Sequence, residues 1–176
     1  ITYWKINEKQ HLYISFITDA FSHKIVGYHI AETLEAIESI KALKMALSSL
    51  NPNNKHQLIH HSDRGIQYCS KDYVKLLQDY NIQISMTENG DPLENAIAER
   101  VNGIIKEECL YDDQVNDIKE ATSLLADVVN LYNSDRPHMS IGNLTPNQLH
   151  QNPIKTEKLW KNYHQKKHTP VNVLQD

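Results

Sequence analysis

The stretch from Gln57 to Met86 constrains the fold more than any other part of the sequence. Two short apolar-rich runs, Gln57–His61 and Ile82–Met86, flank Ser70–Tyr80, which reads as a helix with Ser70 placed to cap its N-terminus. Strand, helix and strand within about 30 residues make a crossover unit, and such a unit joins parallel strands. Upstream the rhythm differs. Ile1–Ile6, Leu12–Thr18 and Lys24–Ala31 are short β-rich runs at hairpin spacing, with a turn at Asp19–His23. They predict an antiparallel meander. A helix follows over Thr33–Leu50, where Ile37, Ile40, Leu43, Leu47 and Leu50 recur at three- and four-residue steps, and the cluster Asn51–Asn54 ends it. Thr87–Pro92 is a polar loop. Long helical stretches follow over Glu94–Leu110 and about 117–132, then a proline-containing turn at Ser134–His138 and a short helix after Thr145–Pro146. The order β-β-β-α-β-α-β-α-α predicts an α/β domain with a mixed five-stranded sheet flanked by helices.

The 176 residues suffice for one domain with a proper core and are few for two. No run approaches the roughly 20 apolar residues of a membrane helix, and no leader is visible, since the chain opens on a strand. Cys69 and Cys109 stand far apart with no paired spacing, which suits two free thiols in a reduced, intracellular setting. The net charge of −4 is unevenly spread. Lys155–Lys167 holds five lysines and one acid, a local charge of +4, so the rest of the chain carries −8. An acidic body with a basic tail fits a metal-dependent nuclease, with carboxylates for cations and lysines for phosphates. It fits a solvated C-terminal helix equally well.

Two carboxylates stand out. Asp63 lies just past a strand end, in His61-Ser62-Asp63-Arg64-Gly65, and ligands of α/β sheets gather beyond strand ends. Gly65 permits a tight turn there. Glu99 sits on a helix whose Ile97, Val101, Ile104 and Ile105 form a core stripe, about 200° round from Ile97 at 100° per residue. Asn95, Asn102, Gly103 and Lys106 share its face. Asp63 by itself reads as a turn former or cap, and Glu99 by itself as part of a solvated face. Together with an acidic partner on the first strand, they can hold two divalent cations that clamp the attacking and leaving oxygens of a phosphoryl displacement. Hard oxygen ligands suit Mg²⁺ or Mn²⁺ rather than zinc. His60 and His61 are neighbours on a strand, so they point to opposite faces and cannot easily share a metal. Asp19 reads as a turn former.

The separate motifs resemble one family. His61–Gly65 is similar to the second-aspartate motif of retroviral integrases and the bacterial insertion-sequence transposases related to them, and 35 residues separate Asp63 from Glu99, the family's interval. Asn95–Arg100 with Gly103 and Lys106 is similar to the glutamate helix of those transposases. Tyr132–His138 and Leu144–Pro146 resemble their tail signature. Ile1–Tyr3, Ile17–Asp19, Phe21–Ser22 and Lys24–Gly27 resemble their opening. The element order agrees with the RNase H-like fold of that family, although other α/β folds share parts of it.

The resemblance implies a transposase catalytic core over residues 1–153, followed by a basic extension over 154–176. It implies cleavage and joining of double-stranded DNA by an acidic triad, with Asp63 and Glu99 as catalytic and metal-binding residues and Mg²⁺ or Mn²⁺ as cofactor. Asn102 and Lys106 would contact the DNA end, and a lysine two turns along from Glu99 can pair with a phosphate. The family's first aspartate directly precedes the Ile-Thr-Tyr string, so it is expected just before Ile1. A working multimer in a bacterial cytoplasm is also implied. Two other functions stay open: a non-catalytic DNA-binding or assembly fragment, and an RNase H-type nuclease.

Overall fold

The structure is a computed structural model that describes residues 1–6, 10–50, 58–87, 95–110, 115–157 and 159. Strands β1 (Thr2–Lys5), β2 (His11–Thr18) and β3 (Ile25–Ala31) form the expected antiparallel meander, in that order, with Tyr3 opposite Tyr13 and Ser15 opposite His29. The turn into β3 is built by Asp19, whose Oδ1 accepts hydrogen bonds from both the backbone N–H and the hydroxyl of Ser22 at 2.6 Å. A backbone bond of 2.8 Å from Asp19 N–H to Lys24 carbonyl closes it. Asp19 is thus a turn former, as its position suggests.

Helix α1 (Ala36–Ser48) lies directly on β3. Gly27 makes this possible. A Cβ built on it would stand 2.3 Å from the carbonyl oxygen of Ala42 and 2.8 Å from the nitrogen of Ala46. Ile40, Leu43 and Leu47 are buried, whereas Ile37 of the expected stripe is 48% exposed and Leu50 is half-buried. Ile37 lies in the first turn of α1, where the core contacts made by Ile40, Leu43 and Leu47 have not yet begun.

The crossover unit is present. Strand β4 (Ile59–Ser62) pairs in parallel with β5 (Gln83–Met86), Ser62 opposite Met86, and α2 (Lys71–Asp79) connects them. The Ser70 hydroxyl accepts from Tyr73 N–H and caps α2. One expectation needs correcting. The five strands do not form one hydrogen-bonded sheet: among the described residues they divide into three and two. Among the described residues β1 pairs only with β2, and the nitrogen of Ile1 donates to the Tyr68 hydroxyl, 3.2 Å away.

The expected helix over Glu94–Leu110 is compound; Glu94 itself lies outside the described residues. An α-helix, α3 (Ala96–Ile104), passes into a π-helical turn over Ile105–Cys109, closed by Leu110 N–H on the Ile105 carbonyl at 3.1 Å. The wider turn lets Ile105 and Leu110, five residues apart, both enter the core at 0% and 1% exposure. Val101 and Ile104 are buried with them, but Ile97 is 37% exposed. It belongs to the first turn of α3 and overhangs the core.

Helix α4 (Ile118–Ser134) starts at Asp117, whose carboxylate accepts from Lys119 and Glu120 N–H. The short helix expected after Thr145–Pro146 is α5 (Pro146–Gln151), with a reciprocal cap between Thr145 and Gln148. The main core joins β1–β3 to α3 and α4 through Trp4, Ile14, Val101, Leu125 and Tyr132. A second core joins α1 and α2 to Ile82. The meander therefore has helices on both faces, an α/β arrangement with antiparallel and parallel strands. Cys69 and Cys109 are not joined in a disulfide. No helix among the described residues is long and apolar enough to cross a membrane. Asn51–Gln57 and most of the basic C-terminal stretch lie outside the described residues.

Candidate functional site

Asp63 follows the last residue of β4 and is exposed. Its Oδ1 accepts the Gly65 N–H at 2.8 Å, and a Cβ on Gly65 would stand 2.9 Å from that oxygen. The glycine keeps space open beside the carboxylate. Arg64 Nε donates to the carbonyl of Thr87 at 2.8 Å, which ties this loop to the end of β5. The Gly65 carbonyl then accepts from Tyr68 and Cys69 N–H, carrying the chain into the α2 cap. The three residues after the strand end are thereby held by side chain and backbone together, which fits a carboxylate kept in one orientation.

The field of Asp63 reaches Tyr68 in the loop into α2. The Tyr68 hydroxyl, which accepts from Ile1, is pushed up to about 12 by burial first and then by Asp63. Beneath the loop, Tyr68 and Tyr73 meet edge to face with centroids 5.4 Å apart. His60 Nε2 pairs with the Tyr73 hydroxyl at 3.0 Å, and burial lowers the His60 pKa. His61 instead points outward to Ser85 Oγ at 2.9 Å. The two histidines face opposite ways, as strand geometry requires.

Glu99 is exposed in the first turn of α3 and makes no hydrogen bond or ion pair among the described residues. Asn102 is half-buried, and a Cβ on Gly103 would meet nothing within 4 Å, so this helix face is open. Lys106 lies in the π turn, and its Nζ stands 3.9 Å from the centre of the Tyr3 ring on β1. Among the described residues no hydrogen bond or ring contact joins Asp63 to Glu99. Among the described residues no three His, Cys, Asp or Glu side chains are grouped closely enough to hold a metal ion.

Several contacts around the site escaped the sequence. The Lys106–Tyr3 pair spans 103 positions and has no local signature. Arg136 grips both carboxylate oxygens of Glu108 at 2.7–2.9 Å, linking the corner after α4 to the π turn. The Asn133 side chain accepts from Ile25 N–H and donates to Ile25 carbonyl, both at 3.0 Å. The Tyr132 hydroxyl donates to the His23 carbonyl. The Tyr-Asn and Arg-Pro-His motif could be seen in sequence, but its work of fastening α4 to the β2–β3 turn and to the π turn could not.

Two models of the integrase core domain match the chain, over residues 1–92 and 80–146. It is 37% identical over 136 residues to the insertion element IS600 uncharacterized 31 kDa protein of Shigella sonnei, covering 77% of this chain and 49% of that protein. It is 31% identical over 151 residues to the transposase InsF for insertion sequence IS3A of Escherichia coli (strain K12), covering 85% of this chain and 51% of that protein. The chain thus spans about half the length of these relatives. Among solved structures, the HTLV-2 integrase catalytic core domain in complex with magnesium, in its trimeric form, superposes with a TM-score of 0.64 at 21% identity, covering 85% of this chain and 90% of that one. That likeness establishes the fold as the RNase H-like one of integrase catalytic cores.

Proposed function

This chain belongs to the integrase core domain family, and from that premise we propose that it is the catalytic core of a transposase that cuts and joins double-stranded DNA. The observation that carries the reading is Asp63, held by its own turn at the end of β4, with the open, uncommitted carboxylate of Glu99 following at the family interval. A divalent Mg²⁺ or Mn²⁺ ion suits these donors. Both are hard carboxylate oxygens, and the space that Gly65 leaves beside Asp63 is one a Cβ would fill. When bound, such an ion stabilises charge on a phosphoryl oxygen and makes water a stronger nucleophile near neutral pH. Asp63 and Glu99 would hold it.

The remaining residues supply orientation. Asn102 can donate to a phosphate or sugar of the DNA end, and Lys106 can pair with a phosphate. The resemblance expects a third carboxylate on a residue joined to the Ile1 nitrogen. Support comes from that nitrogen donating to the Tyr68 hydroxyl, whose ionisation the Asp63 charge opposes. Residues 1–153 form the core in this reading, with 154–176 a basic extension suited to DNA phosphates, acting as a multimer on bacterial DNA in the cytoplasm. The related integrase core named above is a trimeric form with magnesium, which supports both the multimer and the metal.

The test is strand cleavage of a duplex carrying the element ends, with the full-length protein and Mg²⁺. Asp63→Asn and Glu99→Gln are each expected to lower cleavage by at least about 100-fold, since even loss of a group that only supports a metal ligand costs about 10–100-fold. Intact cleavage in either variant would overturn the assignment. A second reading, DNA binding and assembly without catalysis by this stretch alone, is favoured by the lack of a three-ligand group among the described residues. Calorimetric titration with Mn²⁺ separates them: tight binding, lost in Asp63→Asn, counts against the second.

A further inference from the structure

We infer that Tyr3 is a positioning residue for DNA: its ring holds the Lys106 ammonium where that ammonium meets a phosphodiester of the duplex end. The inference rests on the reading of Lys106 as a DNA contact. The Nζ of Lys106 lies 3.9 Å from the centre of the Tyr3 ring, well inside the roughly 6 Å over which a ring face attracts a cation. Tyr3 is 53% exposed, so the pair stands at the molecular surface and is open to a large ligand. His11, from β2, meets the Tyr3 ring edge-on with centroids 5.8 Å apart and planes at 69°, which restrains the tilt of the ring.

The charge of Lys106 is also left unspent. Glu108, two residues on, has both oxygens taken by Arg136 at 2.7–2.9 Å. Among the described residues Lys106 makes no ion pair. A ring attracts an ammonium without neutralising it, so the positive charge stays available to a phosphate. A free lysine gives up rotamer freedom when it pairs, and one already held over a ring gives up less. The π turn sets the direction. Its wider backbone puts Ile105 into the core, and Lys106 beside it reaches back over β1.

The experiment uses the full chain with Tyr3→Phe, Tyr3→Leu, Lys106→Gln and the Tyr3→Leu/Lys106→Gln double variant. Proton NMR follows the Lys106 ε-methylene, and fluorescence anisotropy follows binding to a labelled blunt DNA duplex. The ring is expected to shift the ε-methylene signal upfield in wild type and in Tyr3→Phe, and the shift is lost in Tyr3→Leu. Tyr3→Leu is expected to weaken DNA binding about two- to five-fold, the worth of an exposed cation–ring pair, with Tyr3→Phe near wild type. In the Lys106→Gln background Tyr3→Leu should add nothing. Equal weakening by Tyr3→Leu with and without Lys106, or no weakening at all, overturns the inference while leaving the DNA contact standing. Unchanged affinity in Lys106→Gln overturns the DNA reading itself, whatever the NMR signal shows.

Discussion

Asn133 makes two hydrogen bonds to a single residue of β3, one to its N–H and one to its carbonyl, from a side chain only 7% exposed. Replacing it with alanine leaves both Ile25 groups buried without partners. Such a loss costs roughly 1–3 kcal/mol, and urea unfolding of Asn133→Ala is expected to show a lower midpoint with an unchanged slope. A stability within about 0.5 kcal/mol of wild type would show that water reaches Ile25 and that the amide is dispensable. The same residue shows what a side chain does that its neighbours in sequence do not reveal. Asn133 reads as a polar residue near a helix end, and only the fold brings it to a strand that lies 108 positions away.

At the scale of elements, two glycines make opposite predictions. Gly27 lets α1 rest on β3, and an added Cβ would strike backbone atoms that cannot turn aside. Gly27→Ala is expected to destabilise at or above the top of the about 1–3 kcal/mol range for overpacking, read by denaturant unfolding. Gly103 lies in α3 with open space around its Cβ position, so Gly103→Ala is expected to stabilise by about 0.5–1 kcal/mol. The elements themselves were largely legible. Hairpin spacing marked β1–β3, Ser70 marked the start of α2, and apolar steps marked α1. The π turn was not legible, because one extra residue in a helical turn leaves the local composition unchanged. The stripe rule also overreached in the first turns of α1 and α3, where Ile37 and Ile97 stay exposed. In the candidate site, sequence singled out Asp63 and Glu99 by spacing and resemblance. The turn that fixes Asp63 and the ring under Lys106 depend on contacts between distant segments, and no local pattern encodes them.

For the molecule as a whole, acid sensitivity follows from where its imidazoles sit. Burial first, then the charges of Arg136, His23 and Arg100, bring His138 down to about 4, with Glu108 opposing. His60 is lowered in the same direction by burial. The folded chain disfavours the charged form of both, whereas the unfolded chain protonates them near the ordinary value of 6.5. Between about pH 6.5 and 4 the unfolded state therefore binds more protons, and stability falls as pH drops through that window. Thermal midpoints measured across it are expected to decline, with a shallower decline in His138→Asn. Glu38 adds a further loss below about its ordinary 4.5, because its bond to Lys41, and then its bond to His29, hold its carboxyl low in the folded state.

The bond pattern at Asn133 has one more consequence, for chains that meet each other. Strand β3 is an outer strand of the three-stranded sheet, and a bare outer strand invites a second chain to zip onto it and seed aggregation. By filling both backbone groups of Ile25, the amide stops such a zipper at its first rung. A shared sheet grown from β3 is disfavoured at that rung, and concentrated Asn133→Ala is expected to scatter more light than the wild type.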